Sequence, residues 1–393
     1  MSASGMDRRR SLGLNRNLKL LLMVGVATAL ANGILAPVLA PYFLKLGLSG
    51  SEVGSLNSVM GIAAALSLVP AAYLADLKGK KPLALLAFLT GLPSVLLLAL
   101  GSKPLLYVAF ALLGFANTAA GVAVNPLLAD SVERKEQMDS VFSVFQIANL
   151  VASSLGMLLS WPLLALSGML GGVLAAYKAA LFISAALFAV CLPALAAVSE
   201  TRRSDGKFKL TVSKIALKLA SLNALLAFGA GMGVSIVGYW FARKYGVSAG
   251  ELGARGVAEN LLVVAATAVA PPLSSRLGTL AAAAALQLAS VPFMVATALS
   301  PNFTAAAALF TVRSALANAL NPLVSSLQMR LVREEERARM SMLNVLASQV
   351  ASAAGSALGG LLLDTWIDLP LYAAAAVYVV QALLFYYALR GVE

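Results

Sequence analysis

Long apolar segments separated by short polar breaks follow one another along the whole chain of 393 residues. Each segment has about 20 residues or more, enough for a helix to cross a hydrocarbon layer about 30 Å thick. The apolar runs are unbroken, whereas a barrel strand would alternate apolar and polar positions. We therefore predict twelve helices, near residues 17–44, 52–75, 82–101, 104–129, 139–163, 170–197, 213–242, 251–273, 279–299, 303–327, 339–363 and 369–390.

The composition supports a protein whose main solvent is lipid. Hydrophobic residues make up 60% of the chain, charged residues only 12%, and the mean hydropathy is +0.87. Such a balance lies outside the range of soluble globular domains and leaves no room for a sizeable soluble domain. We predict an all-α membrane protein.

The net charge of +12 is distributed in a way that indicates membrane topology. The 29 lysines and arginines fall into separate short loops, not into one stripe with interleaved aromatic residues, so we do not expect nucleic acid as a partner. With both termini in the cytoplasm, most of them lie on the inner side. We therefore predict a multi-pass protein of the cytoplasmic (inner) membrane, with an uncleaved first helix.

The twelve predicted helices form two related groups of six. The longest polar stretch, residues 199–218, separates them, which predicts bundles at 1–198 and 213–393 joined by a cytoplasmic linker at 199–212. Residues 47–54 (GLSGSEVG) recur as 246–253 (GVSAGELG), and Asn-Pro-Leu occurs at 125–127 and again at 321–323. Two pseudo-symmetric six-helix bundles follow, an architecture in which substrate binds between repeats and access alternates.

The loop between the second and third helices carries the sequence AYLADLKGKK at residues 72–81. It resembles the G-x-L-A-D-R-x-G-R-K loop of the major facilitator superfamily, although Ala72 replaces a glycine and Leu77 an arginine. The helix number, the central basic linker and the duplicated halves are also similar to that family, so the resemblance covers the whole chain.

The resemblance implies a cytoplasmic gate formed by Asp76, Gly79, Lys80 and Asp130. In the family, the aspartate of this loop packs near the start of the eleventh helix, and its basic residue pairs with an acid that ends the fourth. Carried over, Asp76 approaches the eleventh helix and Lys80 pairs with Asp130. The alternative is that the lysines of the loop only mark the inner face of the membrane.

Two charges lie inside predicted helices where lipid makes them costly. Arg313 lies about 15 Å along the tenth helix, and an unpaired arginine at that depth costs at least about 2.5 kcal/mol. Glu259 lies in the eighth helix and is a candidate partner for Arg313. Since the chain has no histidine, a carboxylate is the expected proton carrier. We predict that Glu259 and Arg313 serve transport or ion coupling, the alternatives being a structural ion pair and, for Glu259, a position near the outer interface.

Neutral polar side chains within the helices are the other candidates for the transport pathway. Asparagine and glutamine also join helices by hydrogen bonds, so each alone is equally compatible with packing. The predicted cavity-lining residues are Asn32, Gln146, Asn149, Asn223, Asn318, Asn321 and Gln349.

Taken with the resemblance, these features predict a secondary active transporter that moves a small molecule across the cytoplasmic membrane by alternating access. We expect proton coupling and favour efflux of amphipathic compounds, because the polar groups are too sparse for a sugar. The alternatives are a proton-coupled importer of a small organic anion or nutrient, and a non-transporting receptor or lipid-moving protein with the same fold. The expected partners are the substrate, protons and the bilayer, and the expected state is a monomer. We expect no enzyme activity, cofactor or metal.

Overall fold

The computed structural model describes residues 15–132, 135–200, 213–333 and 336–390. Its α-helices in these ranges are α1 (Arg16–Lys45), α2 (Gly50–Lys78), α3 (Lys80–Leu100), α4 (Lys103–Asp130), α5 (Met138–Ala165), α6 (Val173–Ala196), α7 (Lys214–Gly233), α8 (Val237–Tyr245), α9 (Ala249–Leu277), α10 (Thr279–Leu299), α11 (Phe303–Ala319), α12 (Asn321–Leu331), α13 (Arg337–Thr365) and α14 (Leu369–Leu389).

The fourteen helices of the described ranges form twelve long rods, the predicted number, because two of the rods each consist of two consecutive helices. The seventh comprises α7 and α8 and the tenth comprises α11 and α12. Within the described residues, eleven rods are long and apolar enough to cross a membrane. The remaining rod is α9, the eighth along the chain. It is 29 residues long and carries three charged residues among its first eleven: Glu251, Arg255 and Glu259. The prediction of an all-helical membrane fold is confirmed.

Both breaks have a local cause. The seventh rod is interrupted after the glycine-rich end of α7, between Gly233 and Val237. The tenth is interrupted at Leu320, just before Pro322, which has no N–H to continue the helical hydrogen bonds. Pro126, in the equivalent Asn-Pro-Leu motif, is accommodated within the continuous helix α4. The predicted helices at 213–242 and 303–327 thus correspond to the seventh and tenth rods, and each rod contains one interruption that the prediction did not include.

The duplicated segments fold alike. Ser49 and Ser248 begin α2 and α9, and each forms a capping box with the glutamate three residues later. At the other end of these helices, Gly79 and Gly278 have φ of 99° and 81°, a conformation that favours glycine and lets the chain turn directly into the next helix. The predicted linker at 199–212 lies outside the described residues, apart from its first two.

The two halves meet along two seams at one end of the molecule. In the first seam, α2 packs on α13 through small residues. A Cβ on Gly54 would lie 2.3 Å from the backbone oxygen of Ser356, so the two helices approach closely. In the second, α5 packs on α9, where Gly253 faces the backbone of Met157. We call this end, where α2 and α9 begin, the sealed end.

Hydrogen bonds join the halves at the sealed end. Tyr239 on α8 donates to the backbone oxygen of Leu48 in the first half. Ser58 Oγ donates to Ala353 O across the first seam. The hydrogen bonds between described residues of the two halves lie at this end. We call the opposite end, which carries Lys80, the basic end.

Candidate functional site

Each half contains a cavity, and the two cavities are built from equivalent helices. The N-half cavity, of about 240 Å³, is lined mainly by α1, α4 and α5, the first, fourth and fifth rods. The C-half cavity, of about 300 Å³, is lined by α7, α11–α12 and α13, the seventh, tenth and eleventh rods. Asn125 and Asn321, the first residues of the two Asn-Pro-Leu motifs, line them at corresponding positions. The duplication seen in the sequence thus produces a duplicated cavity.

The N-half cavity combines apolar walls with neutral polar groups. Its polar side chains are those of Thr28, Asn32, Asn125 and Asn149. The Asn149 side-chain oxygen is buried and has no hydrogen-bond partner among the described residues. Because an unpaired buried acceptor is costly, this oxygen is available to a ligand or to water.

The C-half cavity is more polar and its amides are linked. Asn223 on α7 donates to the Asn344 side-chain oxygen at 2.7 Å, and Asn344 donates to the Gln328 side-chain oxygen at 3.3 Å. Ser325 and Ser348 add hydroxyl groups. The linked amides fix one another's orientation, so the wall presents a defined set of donors and acceptors.

The structure places four of the seven predicted cavity residues in these walls: Asn32, Asn149, Asn223 and Asn321. The other three predicted residues, Gln146, Asn318 and Gln349, are not among the residues that line these two cavities. The Asn318 side chain donates to the Ser314 backbone oxygen and accepts from the cavity residue Asn321. For these three the role stays a prediction.

The predicted pair of Glu259 with Arg313 does not form in this structure. Glu259 instead pairs with Arg255, one helical turn earlier on α9, at 2.8 Å between Nη1 and Oε2. At a rise of about 1.5 Å per residue, Glu259 lies about 15 Å from the start of α9, well inside the bundle. The Arg-x-x-x-Glu spacing within the predicted helix at 251–273 was a usable signal for this pair.

Arg313 is buried among aromatic rings. The residue is only 5% exposed, and its guanidinium carbon lies 4.9 Å from the ring centre of Tyr378 and 5.7 Å from that of Phe310. Phe310 also contacts Arg255, at 5.4 Å. Aromatic faces therefore supply part of the compensation that a carboxylate was expected to supply. Arg313 lines neither of the two cavities.

Asp364, at the end of α13, locks the first seam of the sealed end. Its two carboxylate oxygens accept hydrogen bonds from the backbone N–H groups of Gly50 and Ser51, at 2.9 and 2.7 Å, and so cap helix α2 of the other half. Arg243 on α8 lies 2.6 Å from the same carboxylate. A negative charge at a helix N-terminus is favourable, so the Asp364 side chain stabilises the contact between the two halves.

Asp368, one turn further along, has partners only in its own half. It accepts hydrogen bonds from Lys244 Nζ at 2.7 Å and from the indole N–H of Trp240 at 3.1 Å. The two aspartates thus do different work, since Asp364 bridges the halves and Asp368 stabilises the C half.

At the basic end, Lys80 and Asp130 form an ion pair, the contact implied by the resemblance. Glu200, the second residue of the predicted linker, accepts hydrogen bonds from the backbone N–H groups of Lys80 and Lys81, at 2.7 and 3.3 Å, and caps α3. Sequence analysis missed this cap. Among the described residues, Asp76 has no hydrogen bond or ion pair, and its expected approach to the start of α13 stays a prediction. The gating role of these residues stays a prediction.

Comparison with known proteins gives a consistent result. The family model described as Major Facilitator Superfamily matches residues 21–240. A structure of a mutant of the nucleoside transporter NupG superposes with a TM-score of 0.77 at 15% identity, covering 94% of this chain and 99% of that one. A bacterial homologue of the human lysosomal transporter Spinster, in an inward-facing and occupied conformation, gives a TM-score of 0.76 at 15% identity, with 95% and 96% covered. A D-xylose–proton symporter superposes with a TM-score of 0.71 at 15% identity, covering 94% of this chain and 96% of that one. No curated protein sequence matches significantly.

Proposed function

Since the chain belongs to the Major Facilitator Superfamily, we propose that it is a secondary active transporter that moves a small molecule by alternating access. The observation that carries the proposal is the pair of cavities on equivalent helices of the two halves, with the seams between the halves at one end. Rocking of one half against the other about such a site is how duplicated transporters expose it to each side in turn.

The basic end faces the cytoplasm in this proposal. Cations close to helix ends are retained on the inner side of the membrane, and Lys78, Lys80, Lys81, Arg276 and Arg330 lie at this end. The protein is then located in the cytoplasmic membrane with both termini inside. The structure corresponds to the form that is closed towards the outside.

The substrate class follows from the chemistry of the two walls. The residues that line the two cavities are apolar, amide or hydroxyl-bearing, and none of them is charged. An ionic substrate would enter such walls without a counter-charge, at a cost in desolvation. We therefore infer an uncharged amphipathic substrate with a few hydrogen-bonding groups, and we keep efflux as the preferred direction.

Proton coupling is assigned to Glu259. The carboxylate is paired with Arg255 inside the bundle, where protonation would remove its charge and release the arginine. A change of this kind alters the electrostatic energy of the C half without moving any backbone, so it is suited to bias the equilibrium between two conformations. Arg255 would then remain against the rings of Phe241 and Phe310.

The test separates transport from coupling. Purified protein in proteoliposomes is assayed for counterflow of labelled chloramphenicol, an uncharged amphipathic probe, and for its accumulation under a proton gradient. We expect Glu259→Gln to retain counterflow and to lose gradient-driven accumulation. Glu251→Gln, in the capping box of the same helix, is the matched control and should retain both activities.

Each other outcome has a defined meaning. Retained accumulation in Glu259→Gln would remove this residue from the coupling mechanism. Counterflow of benzoate but not of chloramphenicol would favour the alternative of an organic-anion importer, with Arg313 as the anion-attracting residue. Absence of counterflow with benzoate, chloramphenicol and the cation tetraphenylphosphonium would favour a non-transporting receptor or lipid-moving protein.

A further inference from the structure

A small recess extends from the C-half cavity into the C-half bundle. It shares four lining residues with that cavity: Asn223, Leu226, Leu320 and Val324. Its remaining wall is formed by α10 and α14, which do not line the cavity itself. Its volume of about 10 Å³ is close to that required for one water molecule. We call it the amide recess, because Gln287 on α10 and Gln381 on α14 both line it.

The side-chain amide of Gln287 has no hydrogen-bond partner within the part of the chain that the structure describes. The residue is 3% exposed, and both its side-chain nitrogen and its side-chain oxygen are buried and unpaired among the described residues. Gln381 is 5% exposed. Leaving a buried donor or acceptor unsatisfied costs about 1–3 kcal/mol, and native proteins normally satisfy such groups. The amide of Gln287 therefore requires a partner that enters from outside the polypeptide.

The N half shows how the same position is filled when no polar partner is needed. Phe88 is the ninth residue of α3, as Gln287 is of α10, and Phe188 lies eight residues before the last residue of α6, as Gln381 does in α14. The rings of Phe88 and Phe188 pack together with their centres 5.8 Å apart. Packing of the fold is thus compatible with an apolar pair at this position. The two glutamines replace that pair with a polar recess, in the half whose cavity is the more polar.

We propose that the amide recess is a subsite of the C-half cavity for a small uncharged group that both donates and accepts hydrogen bonds. Two sources supply this chemistry: a water molecule, and a hydroxyl group of the substrate that displaces it. A carboxamide side chain offers a donor and an acceptor side by side, so it discriminates against an analogue that lacks the hydrogen-bonding group. As a statement about substrate the inference rests on the proposed function, whereas the water site does not.

The first experiment asks whether Gln287 has a structural role. Gln287→Met removes both hydrogen-bonding atoms at nearly constant volume, and Gln328→Met is the matched control, because Gln328 accepts a hydrogen bond from Asn344 in the cavity wall. Because the Gln287 side chain has no hydrogen bond to lose among the described residues, Gln287→Met should melt at the same temperature as the parent protein or higher. Gln328→Met should melt at a lower temperature, because it loses the hydrogen bond from Asn344. If the two variants lost equal thermal stability, Gln287 would be a packing residue and the proposal would be overturned.

The second experiment identifies the ligand of the recess. Binding of chloramphenicol, which carries hydroxyl and amide groups, is compared with that of N-phenyl-1-naphthylamine, which has a single weak donor. We expect Gln287→Met to weaken the binding of chloramphenicol at least tenfold and to leave the affinity for N-phenyl-1-naphthylamine unchanged. A crystal structure at better than about 2 Å should show water within about 3.2 Å of the Gln287 amide when no probe is bound, by the usual hydrogen-bond limit.

These readouts separate the two sources. Ordered water at Gln287 with no selective change in probe binding assigns the recess to water alone. A selective tenfold loss assigns it to the substrate group as well. An empty recess together with equal binding of both probes overturns the proposal. Failure of counterflow would contradict the proposed transport function, but the water density would still decide the recess.

Discussion

Replacing Asp364 by asparagine tests whether one carboxylate holds the sealed end together. In the structure, its two oxygens cap the N-terminus of α2 through Gly50 and Ser51, and Arg243 pairs with it from α8. Asparagine keeps one acceptor oxygen but loses the charge, and its NH₂ group would face a backbone donor. At least one charge-assisted hydrogen bond between the halves is therefore lost.

The size of the effect follows from that loss. A hydrogen bond to a charged group contributes about 1.5–3 kcal/mol, and partial solvent exposure reduces it. Since the side chain of Asp364 is 29% exposed, we take the lower end of this range. A change of about 1.5 kcal/mol shifts the ratio of sealed to opened molecules about tenfold towards the opened form.

The assay measures the distance between the two halves at the sealed end. Spin labels on Ser102→Cys and Pro301→Cys, in a Cys191→Ala background, report that distance by pulsed electron paramagnetic resonance. Asp364→Asn should increase the population with the longer distance. Asp368→Asn is the control, because the partners of Asp368 all lie in its own half. An unchanged distribution in Asp364→Asn, or an equal change in both variants, would refute the reasoning.

Two further predictions concern close packing and the basic end. Gly54→Ala places a methyl group 2.3 Å from the Ser356 backbone oxygen. It should destabilise the α2–α13 seam by about 1–3 kcal/mol, and the same spin labels should report the opening. Gly121→Ala is the control, because its added methyl group enters open space, and it should melt at or above the parent temperature. Lys80→Met leaves Asp130 without its cation and should lower stability by about 1 kcal/mol. Combining it with Asp130→Asn should restore most of that loss in a double-mutant cycle, and additive losses would contradict the pairing.

Much of the fold was predictable because it depends on local sequence. Apolar run length predicted the twelve rods, and the repeat of residues 47–54 at 246–253 predicted that the second and eighth helices begin alike, near residues 52 and 251. In the structure both begin two residues earlier, with Ser49 and Ser248 as the equivalent caps. The breaks in the seventh and tenth rods were less evident. A proline close to an asparagine is tolerated in α4 but interrupts the helix before Pro322, so the outcome depends on tertiary packing.

The candidate site was predictable only in part, for a physical reason. Asn32, Asn149, Asn223 and Asn321 lie in the cavity walls, but an asparagine inside an apolar helix carries no signal for the face it occupies. Asp364 bonds to residues more than 300 positions earlier, a contact that sequence spacing cannot show.

Isolated polar residues in apolar helices also went unrecognised. Gln287 lies in an alanine-rich helix and Gln381 in the last one, and only the packing of the two helices shows that both residues line one recess. The pair of Arg255 with Glu259 had a usable four-residue spacing within the predicted helix at 251–273, but Arg313 was expected to be the partner of Glu259.

The two seams of the sealed end differ in the nature of their contacts. The α2–α13 seam has the Asp364 carboxylate on a helix terminus, whereas the α5–α9 seam has neutral contacts: Ser160 to the Ala249 backbone at 3.1 Å and Asn260 to Ser154 at 3.2 Å. Neutral hydrogen bonds are the weaker class, so we expect the α5–α9 side to separate first. Opening of the sealed end would then start as a cleft on one flank, and a bulky compound bound in that cleft would stop the opening before the α2–α13 seam had separated.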